Sequence, residues 1–279
     1  MASSSVLISG GGGGIGAAVA RRAAREGWLA LLAGRNRANL EALAREIQSC
    51  GGRAAAIELD LEDPRSLQRG LDAARQAAGD GGEGIAALVN AAGIAISAPL
   101  FSAALDARSF ERHLEVNFHG PRRLIEALAP AMRERRSGRI VNVASSAGLR
   151  GYAYTAAYCA SKHALLGYTR AAAIELAGSG VSIAAVCPHF VDSPMTDASV
   201  RRIVEKTGKS AAQARALLAA ENPGGRLIAP DEVAQAIWSL IQAEENGTVL
   251  ELDGARVVRL EGPIVKSAAK AAVKPSAEP

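Results

Sequence analysis

Five consecutive glycines, Gly10 to Gly14, follow a short apolar stretch, and this junction constrains the fold more than any other part of the chain. Residues 6–9 read as a strand, SGGGGGIG covers residues 9–16, and AAVARRAAREG behind it has a helical pattern. On its own such a run could be no more than a flexible loop. Between a strand and a helix it lets the backbone turn tightly and approach a pyrophosphate, whose charge is favoured by the amides at the helix N-terminus. Strand, glycine turn and helix come in the order that a dinucleotide site needs.

Further brief apolar runs follow: LALLAGR at 29–35, AAAIELD at 54–60, IAALVN at 85–90, RIVNVAS at 139–145 and VSIAAVCP at 181–188. Each suits a strand buried on both faces, and helical segments of ten or more residues separate them. Such alternation predicts an α/β fold, a doubly wound, Rossmann-like parallel sheet of about seven strands with helices on both faces. GTVLELDG at 247–254 reads as the final strand, after a helix that begins at PDEV and covers 230–243. The whole forms one domain over residues 1–262, and the Ala, Lys, Ser and Pro composition of 263–279 suits a loose tail. Ligands belong at the carboxyl edge of such a sheet, where the glycine turn, Arg35, Asp60, Asn90, Ser145 and Pro188 each follow a strand. Residues 194–225 form a polar helical insertion carrying Arg201, Arg202, Lys206, Lys209 and Arg215. It is either a lid over substrate or a surface helix pair.

Composition excludes several classes. Although 49% of the residues are hydrophobic, no charge-free apolar run approaches the roughly 18 residues of a membrane span. MASSSVLISGG lacks the basic start and long apolar centre of a signal peptide, so a cytoplasmic location is expected. Cys50, Cys159 and Cys187 show no CxxC spacing and read as reduced core thiols. His113, His119, His163 and His189 have no metal-ligand spacing, so no catalytic metal is predicted. The net charge is +4, and the tail contributes three lysines against one glutamate, half of that excess. RERRSGR at 133–139 reads as a solvated helix end, which leaves no track for nucleic acid.

The chemistry concentrates in residues 141–162. Ser145 stands at a strand end, and Tyr158 and Lys162 lie one helical turn apart on one face. A nearby ammonium favours phenolate and brings the phenol closer to working pH, which makes Tyr158 a candidate proton donor and acceptor. Singly, each of these residues could be a satisfied core group or a surface charge. Jointly, beside the glycine turn, they mark a site. Ser145 lacks the GxSxG elbow of a hydrolase nucleophile.

These motifs resemble the single-domain short-chain dehydrogenase/reductase family over residues 5–255. SGGGGGIG is similar to its TGxxxGxG turn, with Ser9 for threonine and Gly10, Gly14 and Gly16 at the glycine positions, Ile15 between the last two. NAAG at 90–93, ending in Gly93, matches a further motif that supports the central sheet. Ser145 and YCASK at 158–162 match the serine and YxxxK elements at a separation of thirteen residues. The resemblance implies that Asn117 in VNFHG completes a catalytic tetrad with Ser145, Tyr158 and Lys162 and holds a relay water. It further implies that Asp60 and Leu61 contact adenine, that Asn90, Ala91 and Gly93 line the cofactor, and that Tyr158 and Lys162 hold the nicotinamide ribose. PHFVDSPM, including Pro188, Val191 and Ser193, resembles the PGxxxTPM segment beside the nicotinamide, with His189 for glycine and Ser193 for threonine.

Arg35, followed closely by Arg37, stands where an acidic residue would accept bonds from the ribose of NAD and where arginine can pair with the 2′-phosphate of NADP. NADP(H) is therefore the expected cofactor, although a lone arginine can also be a solvated charge. The implied activity is hydride transfer between a ketone and a secondary alcohol. Members that reduce 3-oxoacyl thioesters or polyketide chains are similar in PMTDASVRRIVEKTG and ENPGGRLIAPDEVA. A small or cyclic alcohol with NAD, and a non-catalytic cofactor-binding subunit, remain the alternatives. The basic insertion residues either meet thioester phosphates or are solvated. The alanine-rich helices near 109–132 and 155–176 form the family's dimer interface, so a homo-oligomer, dimer or tetramer, is expected.

Overall fold

The computed structural model describes residues 4–79, 84–102 and 105–262. The tail expected at 263–279 lies outside them. The strands are β1 Ser5–Ser9, β2 Leu29–Gly34, β3 Arg53–Glu58, β4 Ile85–Asn90, β5 Gly138–Val143, β6 Val181–Pro188, β7 Val249–Leu252 and β8 Val257–Glu261. They form one sheet in the order β3-β2-β1-β4-β5-β6-β7-β8. All neighbours through β7 are parallel, and β8 returns antiparallel to β7. The helices are α1 Gly14–Arg25, α2 Arg37–Ser49, α3 Pro64–Ala78, α4 Ala107–Leu114, α5 Gly120–Glu134, α6 Ala156–Leu176, α7 Pro194–Thr207, α8 Ala211–Ala220 and α9 Pro230–Ala243.

Side chains alternate between the two faces, so the unbroken apolar runs feed two separate cores. Val6 and Ile8 of β1 pack with Leu32, Val89, Val141 and Trp238, whereas Leu7 packs with Leu31, Leu88, Ile140 and Leu124. Each such fully buried aliphatic side chain contributes about 1.5–3 kcal/mol. Strand order reverses direction between β1 and β4, and the cleft opens at their carboxyl ends.

The structure corrects two expectations. The described sheet has eight strands rather than about seven, because VVRLE after Gly254 adds an edge strand. That segment is only partly buried and short, which left its apolar pattern too weak to separate from a loop. The helix expected near 109–132 is interrupted by a π turn at Glu115–His119, the turn that carries Asn117. Among the described residues no helix is long and apolar enough to cross a membrane.

A chain of side-chain amides ties the sheet together beneath the cleft. Asn90 Nδ2 donates to Asn142 Oδ1 (2.8 Å), and Asn142 Nδ2 donates to the Thr169 hydroxyl of α6 (2.8 Å). All three residues are buried. Asn142→Ala would leave the Asn90 amide without this acceptor in the core. We expect it to destabilise the protein by about 2–3 kcal/mol, read from denaturant unfolding.

Candidate active site

The carboxyl edge of the sheet opens into a cavity of about 1760 Å³ that begins at the glycine turn and ends under α7 and α8. Gly10 has φ +70°, and a Cβ there would stand 2.7 Å from the Ala92 backbone. A Cβ on Gly16 would lie 2.2 Å from the Gly10 carbonyl oxygen, so only glycine permits this tight turn. The N-terminus of α1 has no side-chain cap and no acidic residue in its first turn. Its amides are left for an anion, and this cradle fits a dinucleotide pyrophosphate.

Arg35, Asp60 and Leu61 line the cavity at the far end of β2 and β3. Arg35 does not stand alone there. Its Nη1 donates to Glu62 Oε2 (3.2 Å), and Arg112 of α4 grips the same carboxylate through Nε (3.0 Å) and Nη2 (3.3 Å). One carboxylate is thus shared by two guanidinium groups, with Asp60 close by. Arg37 is paired with Glu41 on α2.

On the other side of the cleft, Ser145 leaves β5 in extended backbone, and its Oγ accepts from Ala147 N (3.1 Å). Its side chain faces the same cavity as Tyr158 and favours the charged form of that phenol. Lys162, 4% exposed, donates from Nζ to the Val143 carbonyl (2.8 Å), and its ammonium lies 5.8 Å from the Tyr158 ring centre. Serine, tyrosine and lysine therefore converge on one cavity wall. The electrostatics differ from the expected activation of tyrosine by lysine. Burial pushes the phenol of Tyr158 up, with the Ser145 side chain opposing, and burial pushes Lys162 down from 10.5 to about 8. Desolvation thus acts against both charged forms.

Asn117 is placed one layer behind this wall. It is fully buried, Oδ1 accepts from Ile94 N (2.8 Å), and Nδ2 donates to Ile94 O (2.9 Å) and faces Ser161 Oγ (3.0 Å). The amide thus holds a cavity-lining residue at both of its backbone groups, a positioning role rather than direct contact. Gly93 stands between, since a Cβ there would meet Asn117 Oδ1 at 3.2 Å and Lys162 Nζ at 3.6 Å. This glycine, expected to line the cofactor, does line the cavity, beside Lys162. Asn90, expected to line the cofactor, turns its amide into the sheet instead, where Asn142 satisfies it. Ala91, Ile15, Pro188, Val191 and Ser193 do line the cavity.

Several partners were not apparent in the sequence. His113 Nε2 accepts from Ile96 N (3.0 Å), and Asn222 makes the same double contact to Phe190 N and O (both 2.9 Å) that Asn117 makes to Ile94. Both are isolated polar residues in unremarkable local sequence, so only the fold reveals them. His189, which departs from the family glycine, has Nε2 2.8 Å from Glu251 Oε1, and Arg150 pairs with the same carboxylate. Of the cysteines, Cys187 is buried behind Ser145 with its thiol pushed up to about 12, whereas Cys50 is exposed at the end of α2 rather than in the core.

Residues 4–203 match the family described as short chain dehydrogenase. The short-chain reductase protein NovJ of Streptomyces niveus is 32% identical over 91% of this chain and 94% of its own. The 3-oxoacyl-(acyl-carrier-protein) reductase FabG of Thermotoga maritima is 31% identical over 90% and 97%. A solved structure of an actinorhodin polyketide ketoreductase with NADPH superposes with a TM-score of 0.83 at 30% identity, covering 90% of this chain and 96% of that one.

Lys162 generates a stability prediction. Its folded pKa, about 8, is below the ordinary 10.5, so the unfolded chain holds the extra proton between those values and stability rises with pH across that window. Below pH 8 the full penalty applies. The stability difference between Lys162→Met and wild type should shrink by about 3 kcal/mol between pH 7 and pH 10.5, measured by denaturant unfolding.

Proposed function

The chain belongs to the short-chain dehydrogenase family and is a nicotinamide-dependent oxidoreductase of ketones and alcohols; from that premise we propose that Tyr158 is its acid and base and that it prefers NADP(H). The observation that carries the reading is the convergence of Ser145, Tyr158 and a buried Lys162 on one wall of the cavity that begins at the glycine turn. When bound, the cofactor supplies or accepts the hydride at the substrate carbon.

Residues of this chain do the rest. In reduction the Tyr158 hydroxyl gives its proton to the carbonyl oxygen, and Ser145 donates a hydrogen bond to the same oxygen as charge develops on it. Lys162 supplies positive charge close to the phenolate that results, which offsets the desolvation that holds Tyr158 protonated at rest. Gly10 to Gly16 and the α1 amides would hold the pyrophosphate, Asp60 and Leu61 the adenine end, and Tyr158 and Lys162 the ribose beside the nicotinamide. Val191 and Ser193 would flank that ring. Arg35 would meet a 2′-phosphate, with Arg112 neutralising the carboxylate that otherwise competes for it.

The substrate is a 3-oxoacyl thioester or a related polyketide chain, with residues 194–225 as its lid. Support comes from the cavity, which continues past the glycine turn to an apolar region lined by Ile94, Ile96, Tyr152, Phe190, Met195 and Ile203, suited to an acyl chain. The second reading, an NAD-dependent dehydrogenase of a cyclic alcohol, is favoured by a relative named cis-4-hydroxycyclohexanecarboxylate dehydrogenase, from Sinomonas cyclohexanicum, 33% identical over 89% of this chain and 94% of its own. A non-catalytic subunit would have no use for an intact trio. Self-association through α6 is part of the proposal, since Gly167, Ala171 and Ile174 leave an apolar stripe exposed there.

Tyr158→Phe should lower kcat/KM for ketone reduction about a hundredfold or more while the cofactor still binds, and turnover at the wild-type rate would refute the assignment. Arg35→Ala should raise KM for NADPH about tenfold and leave KM for NADH nearly unchanged, by steady-state kinetics with each cofactor.

A further inference from the structure

The lid carries five basic residues, and the structure sorts them. Arg215 is locked to Asp192 and Asp197 and joins α8 to the base of α7. Arg201 and Lys209 do not line the cavity, whereas Arg202 and Lys206 do. Among the described residues neither of these two has an ion pair or a side-chain hydrogen bond. They stand four residues apart on one face of α7, where like charges repel. Elsewhere the same spacing is used for opposite charges, as in Arg22 with Glu26, Arg37 with Glu41 and Arg122 with Glu126. Lys206, in the last turn, gains from the helix dipole, but Arg202 lies too far from the end to share that gain. Glu221 is the acidic residue of the lid that lines the same cavity, so this wall stays positive.

Position separates the pair from the cofactor cradle. Pro194, the first residue of α7, packs near Gly14, while Arg202 and Lys206 follow eight and twelve residues later, about 12 and 18 Å along the helix axis. Ile203 and Leu218 of the lid flank them in the cavity.

Resting on the ketone reductase reading, we infer that Arg202 and Lys206 form an anion subsite that holds the phosphate of an acyl thioester while the ketone end reaches Tyr158. Arginine can chelate a phosphate oxygen pair and lysine adds a point charge. The apolar cavity between receives the acyl chain.

The test uses the NADPH-loaded full chain with Arg202→Gln, Lys206→Gln, the double variant, and Arg201→Gln as a surface control. Three substrates share one 3-oxoacyl group: the coenzyme A thioester, the phosphopantetheine thioester, and the N-acetylcysteamine thioester, which has no phosphate. The double variant should lose at least tenfold in kcat/KM for the two charged thioesters, through KM. It should stay within twofold for the neutral one and leave KM for NADPH unchanged. Calorimetric binding of free coenzyme A should weaken to a similar extent. A loss confined to coenzyme A assigns the contact to its nucleotide phosphates, and an equal loss on both assigns it to the phosphate of the arm. Equal loss on the neutral thioester, a raised KM for NADPH, or no change overturns the proposal. So does a wild-type enzyme that treats charged and neutral thioesters alike or accepts neither. If such an enzyme still reduces simple ketones, the reductase reading stands without the subsite.

Discussion

The backbone that faces the reacting region has left the sheet, so its N–H and C=O groups must find partners away from both the strand ladder and bulk water. Side-chain amides supply them. Asparagine presents a carbonyl and an NH₂ in the same fork as a peptide bond, so one residue can stand in for a neighbouring strand. Asn117 does this for Ile94 and Asn222 does it for Phe190. The two cavity walls are pinned in the same way by residues that the chain supplies from different elements. His113 adds a contact at Ile96, two residues beyond Ile94, and burial pushes its pKa down, which keeps Nε2 free to accept. The π turn between α4 and α5 matters for this reason. It shifts the helical register just where one helix must deliver both His113 and Asn117 to the same short segment.

A rigid, dry wall has an electrostatic consequence. The burial that fixes Ser145, Tyr158 and Lys162 in place disfavours the charged form of the phenol and of the ammonium alike. At rest the phenol keeps its proton, and the lysine is closer to losing one than an exposed lysine would be. It is the protonation state that the acid role proposed for Tyr158 requires. On the proposed mechanism, negative charge developing at the substrate oxygen would give the buried ammonium a charge to stabilise where water does not dilute it.

The legible part of the sequence was the part whose meaning is local. Strand, glycine turn and helix adjoin one another, and Tyr158 and Lys162 share a face through helical spacing alone. The parallel sheet was legible because each apolar run is bounded by a helix of its own. What depends on distant partners was not. Nothing around Asn222 announces that it grips Phe190, and Glu62 and Arg112, fifty residues apart, meet only because the loop after β3 lies against α4. Arg35 looked like a lone charge for the same reason. Polar residues inside apolar strands, Asn90 and Asn142, carried a signal of cross-linking that a reading for cofactor contacts passed over. Edge strand β8 was missed because an exposed strand has little hydrophobic pattern to show.

The charges of the cleft are arranged so that its ends do not interfere with its middle. Arg35 and Arg112 share Glu62 at the adenosine end, and Arg202 and Lys206 stand at the lid end. Over the 12 Å or more between the start of α7 and the lid cations, solvent ions screen their field, since the Debye length is about 8 Å at physiological salt. Lys162 is buried and is screened far less. On the proposed mechanism, the buried ammonium is thus the charge that acts most strongly on Tyr158. On that reading the outer cations could change with cofactor and substrate while Lys162, held to the Val143 carbonyl and shielded from solvent, keeps its place beside the Tyr158 ring.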